Sequence, residues 1–119
     1  MKYIITESQI DRIVFRYLDE FEWKQWETHH DNMTRLFIKG EDQYPEDAMF
    51  EAYDERESYY DEDSEVKFRK LLVNNKIWLT VGNLFSIPYS ERVEVFLKWY
   101  NNHTGEDCVE LEVFGDFKD

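Results

Sequence analysis

The charge of this chain is distributed very unevenly along the sequence. Residues 41–65 contain 12 acidic residues and one base, Arg56, whereas the other 94 residues contain 15 acidic and 13 basic residues. Most of the net charge of −13 therefore belongs to one segment. Long charge runs are usually solvated, but aromatic residues interleave this one. They are Tyr44, Phe50, Tyr53, Tyr59 and Tyr60. We expect an ordered acidic insertion at 41–65; a solvated helix and loop without a partner is the alternative.

The rest of the composition is that of a globular protein. At 119 residues the chain is long enough for one domain with a single hydrophobic core. Hydrophobic residues make up 42% and aromatic residues 18%, which argues against full disorder. With 4 glycines and 2 prolines, long stretches of regular structure are expected.

The charge and the cysteine count exclude several classes of function. Phosphate backbones and anionic membrane surfaces attract clustered Lys and Arg, so neither nucleic acid nor membrane is expected as a direct ligand. Cys108 is the single cysteine, which excludes an intramolecular disulfide and a zinc site of several thiolates from one chain. No signal-peptide core and no long apolar run is present, so we expect a cytoplasmic protein.

The N-terminal part of the chain predicts a strand and a long helix. KYIIT at 2–6 has strand character, and Thr6 with Gln9 fits a capping box. Apolar residues then recur with helical spacing, which predicts a helix over 7–27. They are Ile10, Ile13, Val14, Tyr17, Leu18 and Phe21. Trp23 and Trp26 leave this stripe and are expected to pack against another element or a partner.

Two strands are predicted on either side of the acidic segment, at 33–40 and 65–73. The two strands are expected to pair, with the acidic segment as an excursion between them. Within it, Pro45 is well placed to start a short helix across 46–57. Its apolar stripe would consist of Ala48, Met49, Ala52 and Tyr53.

The C-terminal part predicts two helices and a strand. Residues 75–85 have helical spacing, and a hairpin about Asn74 and Asn75 is the alternative. Ser90 is expected to cap a helix at 91–102. Residues 108–114 alternate as a strand, with Val109, Leu111 and Val113 on one face. Together these elements predict an α+β fold, a single domain in which a small mixed or antiparallel sheet packs against two or three helices.

Motifs for metal binding and catalysis are weak. An EF-hand loop starting at Asp61 fails, because its sixth position is Val66 and its twelfth is Leu72. Adjacent His29 and His30, followed by Asp31, would point about 100° apart on a helix. There is no HExxH, GxSxG, Walker or GxGxxG motif. We expect no enzyme activity, no cofactor and no metal site. A small metal-dependent hydrolase using His29, His30 or His103 is the alternative. Cys108 is expected to be a core or edge thiol.

Carboxylates interleaved with aromatic rings offer Lys and Arg both ion pairs and ring faces. We therefore predict a non-enzymatic interaction module that binds a basic protein partner through its acidic segment, with homodimerisation left open. Dense carboxylates can also imitate the charges of a phosphate backbone. The most specific form of this prediction is therefore a DNA mimic that inhibits a nucleic-acid-binding protein. The predicted partner-binding residues are Asp54, Glu55, Glu57, Tyr59, Tyr60, Asp61, Glu62, Asp63 and Glu65.

The opening MKYIITESQ resembles the start of small acidic proteins of large tailed phages, especially marine ones, and residues 84–114 resemble their helix, turn and strand ending. The resemblance implies a phage accessory protein made in a bacterial cytoplasm. It carries no functional residue. A structural or assembly component of a phage particle is the alternative function, in which Trp23, Trp26 and apolar edges would matter more than carboxylates.

Overall fold

The computed structural model describes residues 7–28, 32–40, 44–58 and 64–115. Within them the chain forms three helices and five strands in the order α1, β1, β2, β3, β4, α2, α3, β5. The helices are α1 (Glu7–Asp19), α2 (Asn75–Phe85) and α3 (Tyr89–Thr104). The strands are β1 (Trp23–Thr28), β2 (Met33–Ile38), β3 (Phe50–Arg56), β4 (Val66–Asn74) and β5 (Cys108–Phe114). The predicted α+β fold is confirmed.

The strands form one mixed sheet in sequence order, β1-β2-β3-β4-β5. The first three pairings are antiparallel, and β4 and β5 pair in parallel. Parallel neighbours need a crossover connection, which α2 and α3 supply here. The central strand is therefore β3, which lies in the acidic segment.

All three helices pack on one face of this sheet, because the core cluster contains residues from each helix and from alternate positions of the strands. Phe50 of β3 lies at the centre and is fully buried. Its ring centroid lies 5.2–5.9 Å from those of four aromatic residues, Trp23, Phe96, Trp99 and Tyr100. No helix of the described residues packs on the second face.

The structure corrects the predicted arrangement of the acidic segment. A 3-10 turn at Pro45–Asp47 and strand β3 replace the helix expected across 46–57. The strands predicted at 33–40 and 65–73 do form, as β2 and β4, but they do not pair with each other because β3 lies between them. Residues 41–65 are thus not an insertion into the sheet. They supply its central strand, since Phe50 and Ala52 alternate toward the core with strand periodicity.

The predicted helix 7–27 ends at Asp19, and Trp23 and Trp26 belong to β1 instead. The Trp23 indole N–H donates to the Leu18 carbonyl oxygen at 2.8 Å, which turns the chain and holds this ring against the core. Residues three apart in a strand face opposite sides. Trp26 is accordingly 46% exposed on the second face.

The C-terminal predictions are confirmed with small changes. Residues 75–85 form a helix, whose N-cap is Asn74: its side chain accepts from the Lys76 backbone N–H at 2.9 Å. The next helix begins at Tyr89 with Pro88 at its N-cap, so Ser90 is not the cap. Strand β5 forms as predicted, but a bulge at Val109 turns Cys108 to the core and leaves Val109 58% exposed.

The strand predicted at 2–6 and the capping role of Thr6 lie outside the described residues.

Candidate functional site

The carboxylates of the acidic segment are divided by the alternation of strand β3. Asp54 shares the helix-covered face with Phe50 and Ala52, whereas Glu51 and Glu55 lie on the second face. Asp54 is 12% exposed and pairs with Arg69 on the neighbouring strand at 2.8 Å. Its charge is neutralised inside the protein, which departs from the predicted partner-facing role of this residue.

Arg69 is the centre of a polar network at this end of the sheet. Its side chain is 14% exposed and forms ion pairs with Asp54 and with Glu106, which precedes β5. The remaining donors reach the Asn32 carbonyl at 2.8 Å, the Thr34 hydroxyl at 3.1 Å and the Ala52 carbonyl at 3.5 Å. All five guanidinium N–H groups therefore have acceptors within the protein.

The network holds Arg69 in its charged form. Burial opposes that charge, but the hydrogen bonds and ion pairs with Glu106 and Asp54 outweigh it, so the pKa of Arg69 is raised above its ordinary value. A polar pocket of about 340 Å³ opens beside the network. Because the guanidinium is already satisfied, the described residues that line this pocket offer no free cation to an anionic ligand. The network therefore has a structural role: it satisfies the polar groups at this end of the core.

Tyr100 and Cys108 adjoin the network and carry no reactive character. The Tyr100 hydroxyl donates to Glu106 at 2.8 Å, and burial together with that hydrogen bond raises its pKa well above the usual range. Cys108 is 4% exposed, and burial, reinforced by the nearby Glu106 charge, raises the pKa of its thiol to about 12. The prediction of a core thiol is confirmed.

We expect Cys108 to resist alkylation in the folded protein. At pH 8 the thiol is protonated, because its raised pKa lies far above that pH, and the nucleophile is the thiolate. Mass spectrometry after iodoacetamide treatment should show an unmodified native chain and a singly modified chain in denaturant. Complete modification of the native protein under the same conditions would contradict this burial.

The connection between β3 and β4 begins and ends in a hydrogen-bonded stem. The Glu57 backbone N–H donates to the Glu65 carbonyl at 3.1 Å, and the Ser64 hydroxyl donates to the Ser58 carbonyl at 3.1 Å. Arg56, the single base of the acidic segment, donates to the Ser64 carbonyl at 2.7 Å. We call residues 57–65 the acidic loop. It carries five carboxylates and no base, and its two ends are anchored next to each other.

Of the nine predicted partner-binding residues, the structure describes four. Glu57 and Glu65 are exposed at the stem of the acidic loop, and Glu55 is half-buried on the second face of the sheet. Tyr59, Tyr60, Asp61, Glu62 and Asp63 lie outside the described residues. The structure thus brings Glu57 and Glu65 together and separates Asp54 from them.

The second face of the sheet is largely self-compensated. Arg35 pairs with Glu51 at 3.1 Å, and Lys70 pairs with Glu112 at the same distance. Hydrogen bonding to Glu112 raises the pKa of Lys70 against the opposing effect of burial. Positive and negative side chains therefore alternate on this face, and it does not form a uniformly acidic surface.

Of the three histidine candidates, the structure describes only His103. His103 stacks on Trp99 with centroids 4.8 Å apart, at the end of α3. His29, His30 and Asp31 lie outside the described residues. Among the residues that the structure describes, no group of three or more His, Cys, Asp or Glu side chains is placed to hold a metal ion.

None of the helices in the described ranges is long and apolar enough to cross a membrane. No protein-family model, no curated protein and no solved structure matches this chain.

Proposed function

We propose that this protein is a non-enzymatic interaction module that binds a basic protein partner through its acidic loop. The supporting observation is the stem: Arg56 is bonded to a backbone carbonyl, so the segment's own base is committed to closing the loop. Glu57 and Glu65 are exposed and form no ion pair with another described residue. These two carboxylates are therefore available to an outside cation.

The chemistry of the loop favours a partner rich in Lys and Arg. Five like charges within nine residues repel one another, and an approaching cationic surface relieves that repulsion. Tyr59 and Tyr60 would add aromatic contact area, which commonly carries interface energy. The most specific form of the proposal is charge mimicry. In this form the chain is a phage accessory protein that occupies the basic groove of a host nucleic-acid-binding protein.

The test is capture from bacterial lysate with three immobilised proteins. They are the wild type, a loop variant (Asp61→Asn, Glu62→Gln, Asp63→Asn, Glu65→Gln) and a control variant (Glu27→Gln, Glu46→Gln, Asp107→Asn, Glu110→Gln). Both variants lose four charges, and all four control residues are exposed and lie outside the loop. The wild type and the control should retain a shared basic protein, whose recovery falls at least tenfold with the loop variant.

Salt provides the second arm of this test. Binding driven by charge should weaken steeply between about 0.05 and 0.5 M salt. Equal recovery of the same proteins by all three baits would contradict the proposal, as would binding that salt leaves unchanged.

A second candidate function is a self-assembling structural component of a particle, which the exposed indole of Trp26 on β1 favours. Trp23 does not support it, because this ring packs on Phe50 and Trp99. Trp26→Ala should abolish assembly in this case, whereas charge mimicry predicts no effect of that substitution on partner capture.

A further inference from the structure

A groove between α1 and α2 is apolar inside and basic at its rim. Tyr17 and Phe85 form its floor, with ring centroids 5.7 Å apart in an edge-to-face contact. Ile13 forms one wall and is 39% exposed. Arg12 and Arg16, both exposed, stand on the rim. The groove encloses about 290 Å³, which is at the lower end of ligand pockets and suits a side-chain anchor.

The two arginines line one apolar groove on a chain with a net charge of −13. Within the described ranges neither Arg12 nor Arg16 forms an ion pair, although Glu20 also lines the groove. Lys98 is paired with Asp11 at 3.2 Å, whereas Lys24, Lys67 and Lys76 are exposed and, like the two arginines, form no ion pair with a described residue. Two guanidinium groups that no described carboxylate pairs, one helical turn apart beside an apolar floor, fit an anionic segment that carries an aromatic side chain.

We propose that this groove binds the acidic loop of a second copy of the chain. The acidic loop has the required chemistry, because Tyr59 and Tyr60 precede Asp61, Glu62 and Asp63. A tyrosine ring would rest on Tyr17 and Phe85, and the carboxylates would face Arg12 and Arg16. The apolar floor is complementary to the aromatic rings, and the two arginines are complementary to the acidic side chains.

Loop and groove are different surfaces, so the contact is heterologous and each bound copy leaves one loop and one groove open. Self-association should therefore give a concentration-dependent series of dimers and longer chains. The inference extends the use of the acidic loop beyond the proposed function, because groove and basic partner would compete for the same carboxylates.

Sedimentation velocity at about 0.15 M salt, where charges beyond about 8 Å are screened, tests this proposal. The groove variant is Arg12→Gln with Arg16→Gln, and the loop variant is Tyr59→Ser with Tyr60→Ser. Each variant alone should be monomeric over concentrations at which the wild type associates. An equimolar mixture should form a 1:1 dimer that does not grow, because it contains one intact groove and one intact loop.

Matched controls separate these effects from a general change in charge or folding. Lys24→Gln with Lys76→Gln removes two exposed cations elsewhere, and Tyr44→Ser removes an exposed ring outside the loop. Both should associate as the wild type does, and thermal melts should show that all variants fold. A monomeric wild type, self-association of either variant alone, or a mixture without dimer would each overturn the proposal. The groove variant keeps its acidic loop, so capture of the basic partner tests the proposed function independently.

Discussion

Replacing Arg69 by methionine is expected to destabilise the protein by about 3–5 kcal/mol. The guanidinium is 14% exposed, and it faces Asp54 and Glu106, which are 12% and 16% exposed. Removing the cation leaves two carboxylates close together in a poorly solvated site, together with two backbone carbonyls that lose a donor. The loss exceeds the net stabilisation by the ion pairs, because it includes the cost of burying uncompensated charge.

Equilibrium unfolding in urea, monitored by tryptophan fluorescence, measures this change. Lys39→Met is the matched control, since Lys39 and Glu22 are 71% and 74% exposed and such a pair contributes about 0–1 kcal/mol. A similar small effect for both variants would show that the Arg69 network is not a structural element. Replacing Arg69, Asp54 and Glu106 together by apolar residues should recover part of the lost stability, because no uncompensated carboxylate would then be left in the site.

Replacing Phe50 by alanine is expected to cost about 3–5 kcal/mol, which is the usual range for a large aromatic residue in a core. Phe50 is fully buried on the central strand, and four aromatic rings contact it. These rings come from β1 and α3, so the cavity would open between the sheet and the helix layer. The substitution therefore weakens the contact that joins the acidic segment to the rest of the core.

The same unfolding assay tests this prediction, with Leu84→Ala as the control. Leu84 is 59% exposed, and substitutions at such sites usually change stability by less than about 0.5 kcal/mol. A loss below about 1 kcal/mol for Phe50→Ala would contradict the central position of β3.

Regular periodicity made much of this fold predictable. Strand alternation identified β2, β4 and β5. Helical spacing identified α2, α3 and the whole of α1, although the predicted helix ran on from Asp19 to residue 27. The acidic segment was misjudged because Ala48, Met49, Ala52 and Tyr53 also satisfy a helical stripe. Phe50 and Ala52 show the strand alternation that forms, and the aromatic cluster around Phe50 favours it through contacts distant in sequence.

The polar network could not be predicted from local patterns. Asp54 and Arg69 meet because β3 and β4 pair in a register that places them opposite each other. Glu106 joins from the segment between α3 and β5, 37 residues after Arg69. The sequence does contain one indication of the network. Arg69 alternates with Leu71 and Val73 on the side of β4 that faces the core, and a buried arginine requires carboxylate partners. By contrast, the concentration of charge in the acidic loop follows from counting residues.

If the acidic loop is the binding surface for basic partners, a small cationic ligand should bind there first. Backbone amide shifts of the isotope-labelled protein can be followed by NMR during titration with a short oligolysine peptide. We predict that the shift changes concentrate at Glu57, Ser58, Ser64 and Glu65, and that they disappear in the loop variant and at about 0.5 M salt. Shifts spread evenly over the charged surface, or unchanged when the loop is neutralised, would contradict it.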